Sequence, residues 1–341
     1  MAHVAMVVTN SCAPDPRVER HAIWLTEMGH KVEIHAWDRE CENPKSEIKS
    51  GYKIIRYRIG KTSTNNSLKT WVRKKKFISN LKINSDILIL NDTDSMGVEF
   101  RGKTLLDIHD MAFTWPLMRG RSILHKLASN RMLKQAKEAV LRADEIIVSA
   151  PKFREWVSQF GKVSTCVMNS RDSQSITKCI DKKIGYFGRI REYGSMLHLI
   201  ESAAIAGFHV VLAGDGLAVA KLVQNFPNLD YRGKFGESDL SDLIQEISVM
   251  YAMYDDSRAN IQLGAIPTKM LDAAAFGVPS VTNSDTPMGD FCLSERIGTV
   301  APYGDTGKIA EAILDAYKME VRPKTSNDKQ KFQIVIERLV A

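Results

Sequence analysis

A lysine and a carboxylate one helical turn apart stand in residues 266–285, IPTKMLDAAAFGVPSVTNSD. Pro267 suits the first position of a helix, where its missing N–H would have no partner anyway. Gly277 can close that helix in a left-handed cap, Pro279 bars its continuation, and the β-branched run PSVTN then predicts a strand. A helix start gathers unpaired N–H groups and the positive end of the dipole, which makes it a ready site for phosphate. Lys269 lies in that first turn, and Asp272 shares its face three residues on. A cation over a phosphate, with a carboxylate one turn deeper, can hold a nucleoside diphosphate by phosphate and ribose together. The alternative is a capped surface helix with an incidental Lys–Asp pair. A second acidic constellation, Asp92 and Asp94, directly follows the apolar run DILIL. Two carboxylates on one loop suit a divalent ion that bridges phosphates.

These residues need strands and helices to position them. The Val-rich run HVAMVVT, a helical spacing through Val18, Ile23, Trp24, Leu25 and Met28, and KVEIHAW make a βαβ unit. Such a unit implies a parallel sheet with ligand sites at the strand C-terminal ends. The loop 10–16, with Asn10, Pro14 and Asp15, lies at such an end; it lacks the G-x-G-x-x-G of a dinucleotide site. Further strands are predicted near 51–60, 86–90, 103–111, 143–151 and 162–172. Residues 61–67 read as a polar loop and 172–182 as a linker. The pattern restarts at KIGYFGRI, followed by a helix over 195–207 and strands over 209–216 and 228–235. A helix over 240–256, a strand over 259–263, strands at 279–283 and 297–303, and helices over 306–318 and 329–340 complete the chain. The organisation read from this is a Rossmann-like domain over 1–172, a second over 183–325, and a closing helical segment over 326–341.

At 341 residues the chain has room for two ordinary cores. A hydrophobic share of 44% and a charged share of 26% belong to a soluble globular protein. No apolar run reaches membrane-spanning length, and MAHVAMVVTN reads as a first strand rather than a secretory leader. Cys12, Cys41, Cys166, Cys179 and Cys292 are scattered, without C-x-x-C spacing, which predicts reduced thiols in a cytoplasmic protein and no zinc site. Of the net charge of +7, the excess lies in residues 1–172, which hold 29 Lys and Arg against 19 Asp and Glu. Residues 69–82 interleave Trp71, Val72, Phe77, Ile78 and Leu81 with a run of cations, and 119–142 is a second basic segment. Such helices suit an anionic membrane surface, or simply a solvated face. Aromatic interleaving is too thin for stacking on single strands, so no nucleic-acid partner is expected.

Pro267, Lys269, Asp272, Ala273, Ala275, Gly277 and Pro279 resemble the P-x-K-x-x-E-A-x-A-x-G-x-P-V signature of the retaining GT-B glycosyltransferases, the large family 4-like group. P-D-P-R-V after the first strand, G-R-I at 188–190 and G-D-G at 214–216 are similar to other elements of that family. The resemblance implies an α/β fold of two Rossmann-like domains facing a central cleft, with the last helix crossing back to the first domain. It implies a donor site of Arg189, Arg191, Lys234, Phe235, Thr268, Lys269 and Asp272, with Arg189 on the diphosphate, Asp272 on the ribose and the base near Lys234 and Phe235. His109 would contact the donor sugar or phosphate as the catalytic residue, and Asn10, Pro14 and Asp15 would form the acceptor loop. Three positions depart from the pattern: Asp272 replaces a Glu, Gly264 replaces the Glu that touches the transferred sugar, and Tyr193 replaces a diphosphate-binding Lys. Arg191 can substitute for the last, since a guanidinium grips phosphate in bidentate fashion.

The expected function is transfer of a sugar from a nucleotide-diphosphate-sugar to an acceptor hydroxyl, in polysaccharide or glycolipid assembly. The acceptor would be a carbohydrate or lipid-linked molecule. The nucleotide sugar is a co-substrate; no cofactor and no metal are expected. The expected location is the cytoplasm, with peripheral attachment to its membrane face. Three rivals stand beside it: a degenerate GT-B homologue serving as a binding or scaffold protein, a metal-dependent GT-A transferase using Asp92 and Asp94, and a two-Rossmann sugar-nucleotide epimerase.

Overall fold

The computed structural model describes residues 1–62, 67–120, 122–174, 179–323 and 325–341. Parts of the expected polar loop 61–67, basic segment 119–142 and linker 172–182 therefore lie outside the described residues. The chain divides into two compact units, Met1–Met168 with Asn327–Ala341, and Asn169–Ser326.

In the first unit the strands are β1 (His3–Val8), β2 (Lys31–Trp37), β3 (Ser46–Lys49), β4 (Tyr52–Tyr57), β5 (Ile87–Asn91), β6 (Lys103–Ile108), β7 (Glu145–Val148) and β8 (Thr165–Cys166). They form one sheet in the order β3-β4-β2-β1-β5-β6-β7-β8. All neighbours are parallel except β3, which closes an antiparallel hairpin on β4. The strand order reverses between β1 and β5. Crevices at such reversals are where open parallel sheets bind ligands, beyond the strand C-termini. The first helix, Pro16–Glu27, opens with Asp15 as its cap, accepting the Val18 N–H at 3.2 Å.

The C-terminal helix Asp328–Val340 packs into this unit. Phe332, Val335, Ile336 and Leu339 join the core formed by Val4, Met6, Val18, Ala22 and Leu25. The Phe332 ring stacks on His21 at 4.4 Å. Burying each such apolar side chain contributes roughly 1.5–3 kcal/mol, so the helix is held as core rather than as a surface strap.

The second unit holds β9 (Lys183–Phe187), β10 (His209–Ala213), β11 (Asp230–Tyr231), β12 (Val249–Tyr251), β13 (Ser280–Asn283) and β14 (Gly298–Ala301). The sheet is wholly parallel, ordered β11-β10-β9-β12-β13-β14. Counted within the unit this is 3-2-1-4-5-6, the doubly wound dinucleotide order, with its reversal between β9 and β12.

Three local expectations are corrected. The helix predicted over 240–256 stops at Gln245, and Val249–Tyr251 is β12. A strand covered on both faces is apolar throughout and cannot be told from buried helix by periodicity. The strand predicted over 259–263 is a helical turn, Ala259–Gln262. Pro267 is the residue that caps the helix Thr268–Ala275, with ψ 128°, rather than its first member. The expected left-handed cap is present: Gly277 has φ +73°, and the Val278 N–H reaches back to the Ala273 carbonyl at 2.9 Å.

Candidate functional site

The reversal point of the second sheet is built from the turn after β9 and the segment after β12. Gly188 (φ +133°) turns the chain out of β9, and G-R-I lies directly against G-D-G. The Gly188 N–H donates to the Ala213 carbonyl at 3.0 Å and the Ile190 N–H to that of Asp215 at 2.7 Å. A Cβ on Gly214 would overlap the Gly188 carbonyl oxygen, and one on Gly216 that of Ile190. Both glycines also lie at positive φ, +132° and +151°. Gly214→Ala is therefore expected to displace the Gly188 turn and lower the melting temperature, with nucleotide response lost together with it. Overpacking costs roughly 1–3 kcal/mol, each kcal/mol being about 2–4 °C in a unit of this size, so a melting temperature within about 1 °C of wild type would contradict this packing.

Around that turn gather Tyr186, Arg189, Arg191, Glu192, Ser195, Met253, Tyr254 and Arg258. Burial, then Arg189 and Arg258, press the Arg191 guanidinium below its ordinary value, so the three arginines sit within electrostatic reach of one another. Glu192 is the carboxylate among them, ion-paired to Arg258 at 3.2 Å. Lys269 completes the set. Its side chain is 8% exposed, and its ammonium has no hydrogen-bond partner. The ammonium lies 2.9 Å from the Tyr186 ring centroid and 5.5 Å from that of Tyr254. Burial, reinforced by Arg258, pushes it well below the ordinary lysine range, with Asp272 pulling the other way. A concentration of cations with an unsatisfied ammonium at a Rossmann reversal point is what a diphosphate would complete. The gap between these side chains is only about 10 Å³.

The other expected donor residues lie in the same unit. Thr268 is exposed at the first turn of the Lys269 helix. Asp272 is buried, and its Oδ1 accepts the Arg171 Nε–H at 2.9 Å, while Arg171 also pairs with Glu237 at 2.6 Å. A ribose would have to share this carboxylate with a guanidinium. Lys234 is exposed, 3.6 Å from Asp215, and Phe235 meets Phe187 edge-on at 6.4 Å. Arg189 is also exposed, 3.8 Å from Asp215. Tyr193 stands away from the arginines, its hydroxyl accepting from Asn225 at 2.6 Å. Arg258 was not singled out in the sequence. Its signal is its place just beyond β12, which became visible only once β12 was recognised as a strand.

In the first unit, His109 follows β6 directly. Its Nε2 is 3.0 Å from Asp107 Oδ2 and its Nδ1 3.6 Å from Asp92 Oδ2. Burial alone would lower its affinity for a proton, but Asp107 and Asp92 outweigh burial and lift the imidazole to about 9. Asp107 is fully buried. Burial raises it, but Arg17, His109 and His21 together hold it well below the usual carboxylate range. Arg17 Nη2 bonds it at 2.6 Å and Nε at 3.0 Å. Burial, then Arg17, lowers His21 to about 3, so it is neutral 3.1 Å from the same carboxylate. His109 is thus a protonated imidazole, 17% exposed at its side chain, clamped by a buried carboxylate.

Asp92 and Asp94 are both engaged within the protein. Asp92 accepts the N–H groups of His109 and Asp110 at 2.6 and 3.1 Å, and Asp94 accepts the Thr9 hydroxyl at 2.6 Å. Among the described residues no group of three His, Cys, Asp or Glu is placed to hold a metal ion. The loop after β1 brings Asn10 and Asp15 together: the Asn10 amide donates to Asp15 at 2.7 Å, beside an exposed Pro14. No described helix is long and apolar enough to cross a membrane.

Two Rossmann-like α/β units, the second carrying a cationic reversal point, define a glycosyltransferase fold of the GT-B type, which sets aside the single-domain GT-A architecture. Residues 181–319 match the family of glycosyl transferases group 1. No curated protein sequence matches the chain. Among solved structures, the chain is similar to sucrose-phosphate synthase from Thermosynechococcus elongatus, with 16% identity over 99% of this chain and 96% of that one and a TM-score of 0.73. Anabaena Alr3699/HepE, solved in complex with UDP and glucose, aligns over all of both chains at 12% identity and a TM-score of 0.67. AviGT4, a glycosyltransferase involved in avilamycin A biosynthesis, aligns over 100% of this chain and 97% of that one at 13% identity and a TM-score of 0.57.

Proposed function

We propose that this protein transfers a sugar from a nucleotide-diphosphate-sugar to an acceptor hydroxyl in polysaccharide or glycolipid assembly, with retention of configuration. The observation that carries this reading is the buried, unsatisfied Lys269 ammonium, which lies over the Tyr186 ring beside the cluster of Arg189, Arg191 and Arg258. Negative charge builds on the diphosphate as the glycosidic bond to it breaks. Preorganised cations stabilise that charge more in the transition state than in the ground state. Lys269 and the arginines take this role. Thr268 and Asp272 hold the ribose end, and the backbone near Lys234 and Phe235 meets the base. His109, kept protonated by Asp107, donates to the transferred sugar or its phosphate, and the loop of Asn10, Pro14 and Asp15 receives the acceptor. The nucleotide sugar is the co-substrate, and the reaction is assigned to the cytoplasm.

A second reading, a non-catalytic GT-B homologue that binds a partner, is favoured by Gly264, Asp272 and Tyr193: Gly264 and Tyr193 withhold a carboxylate and a cation from the pattern, and Asp272 stands where it has Glu. Thermal stabilisation by UDP, GDP, ADP, CMP and their sugars separates the two. Ligand binding only to the folded state at roughly a hundredfold excess over Kd is expected to raise the melting temperature by about 5 °C. One nucleotide should act on the wild type and not on Lys269→Ala or Asp272→Ala. No response to any nucleotide would favour the second reading; a response indifferent to both substitutions would put the donor elsewhere.

A further inference from the structure

A groove in the first unit is lined by none of the residues assigned to the donor. It measures about 780 Å³ and runs between the helices Ser67–Asn80 and Ile123–Arg142. Six cations line it, Lys74, Lys75, Lys76, Arg131, Lys134 and Arg142, against the two carboxylates of Glu99 and Glu138. None of the six forms an ion pair among the described residues. Two of them lie over an aromatic face: Trp71 has the Lys75 ammonium 4.2 Å and the Arg131 guanidinium 4.5 Å from its ring. Uncompensated cations around a groove of this size repel one another, and the field they sum to attracts anions.

What flanks the groove narrows the kind of anion. One turn before Trp71 lies Leu68, 69% exposed, and one turn before Arg131 lies Leu127, 59% exposed. Val72, Ile123 and Leu124 are exposed as well, the last two at 76% each. Apolar side chains bared on the same two helices as the groove's cations are out of place for a free polar anion, and they match an interface where acyl chains begin just above phosphates.

We propose that this groove is a phosphate-headgroup site for anionic phospholipid, with Leu68, Leu124 and Leu127 entering the acyl boundary and Arg131, Lys134 and Lys75 meeting the headgroups. Nothing in it depends on the donor assignment, because all of these residues belong to the first unit.

Co-sedimentation of the full chain with vesicles tests it. Binding is expected to phosphatidylcholine vesicles containing phosphatidylglycerol and not to phosphatidylcholine alone, weakening as salt rises. Arg131→Glu with Lys134→Glu, both exposed, should weaken it about a hundredfold. Leu124→Ser with Leu127→Ser should weaken it several-fold while leaving the salt dependence in place. Melting temperature and nucleotide response, both read on the variants, show that they fold. Equal binding to both vesicle types, no vesicle binding, or indifference to the charge reversal overturns the proposal. So does tight binding of inorganic pyrophosphate that is blocked by the charge reversal while vesicles go unbound, which would mark a site for a soluble phosphate.

Discussion

Lys269→Met should raise the melting temperature of the ligand-free protein and, in the same variant, remove its response to nucleotide. The ammonium is buried without a hydrogen-bond partner, and leaving a charged group in that state costs about 1–3 kcal/mol or more. The Tyr186 ring face offsets part of this, by about 1–2 kcal/mol. Methionine fills similar space with no charge to desolvate, so a gain of about 2–4 °C is expected. The pH dependence has a definite sign. Because folding holds Lys269 well below the ordinary lysine value of 10.5, the unfolded chain binds the extra proton below that pH, and the wild type gains stability as pH rises. The advantage of the variant should therefore shrink on going alkaline. Transfer activity should fall by about 10²–10³, the loss typical of removing one charge-stabilising donor. A variant less stable than wild type that still responded to nucleotide would show that Lys269 is a packing residue.

Changing His109 to Gln should lower kcat by about a hundredfold or more and leave stabilisation by the free nucleotide nearly intact. Glutamine keeps hydrogen-bonding capacity but cannot carry the charge. In the wild type the imidazole is raised from 6.5 to about 9 by Asp107 and Asp92 against the pull of burial. Its stabilising contribution is thus complete below about pH 6.5 and is lost as pH climbs to about 9. Burial, moderated by His109, holds Asp92 near 7, and loss of the imidazolium should push that carboxyl further up. Two readouts separate chemistry from scaffolding. Wild-type turnover should fall on the alkaline side near pH 9, a limb absent from the variant, and the stability gap between the two should close over the same window. Equal alkaline limbs in both proteins would remove His109 from the chemistry.

Much of this fold was legible in the sequence, for reasons that name particular residues. The β1–helix–β2 opening showed because Val-rich strands and a capped helix alternate at short range. The Lys269 helix showed because Gly277 and Pro279 mark its end. The expected helix over 240–256 failed where parallel-sheet burial erased the alternation of Val249–Tyr251, and with it went the reversal point and Arg258. The site was legible in residue type more than in partnership. Lys269 was placed beside Asp272, yet its nearest company is Tyr186, and Asp272 is shared with Arg171. Neither contact has a local signature, because Tyr186 and Arg171 lie far away in the chain. The clamp on His109 escaped notice for the same reason: Arg17 and Asp107 are 90 positions apart.

The closing helix has a consequence for synthesis on the ribosome. Its core partners, Val4 to Leu25, emerge first, whereas Phe332 and Leu339 emerge only after the whole of 169–326 has been translated. At about 5–20 residues per second that interval is on the order of ten seconds, during which the second unit can complete its own sheet while the first waits with an open apolar socket beside His21 and Trp24. A chain cut short by a nonsense codon near 327 would keep its entire second unit yet present that socket to chaperones and proteases. Quality control would then be reading the last turns of the chain on behalf of its first strand.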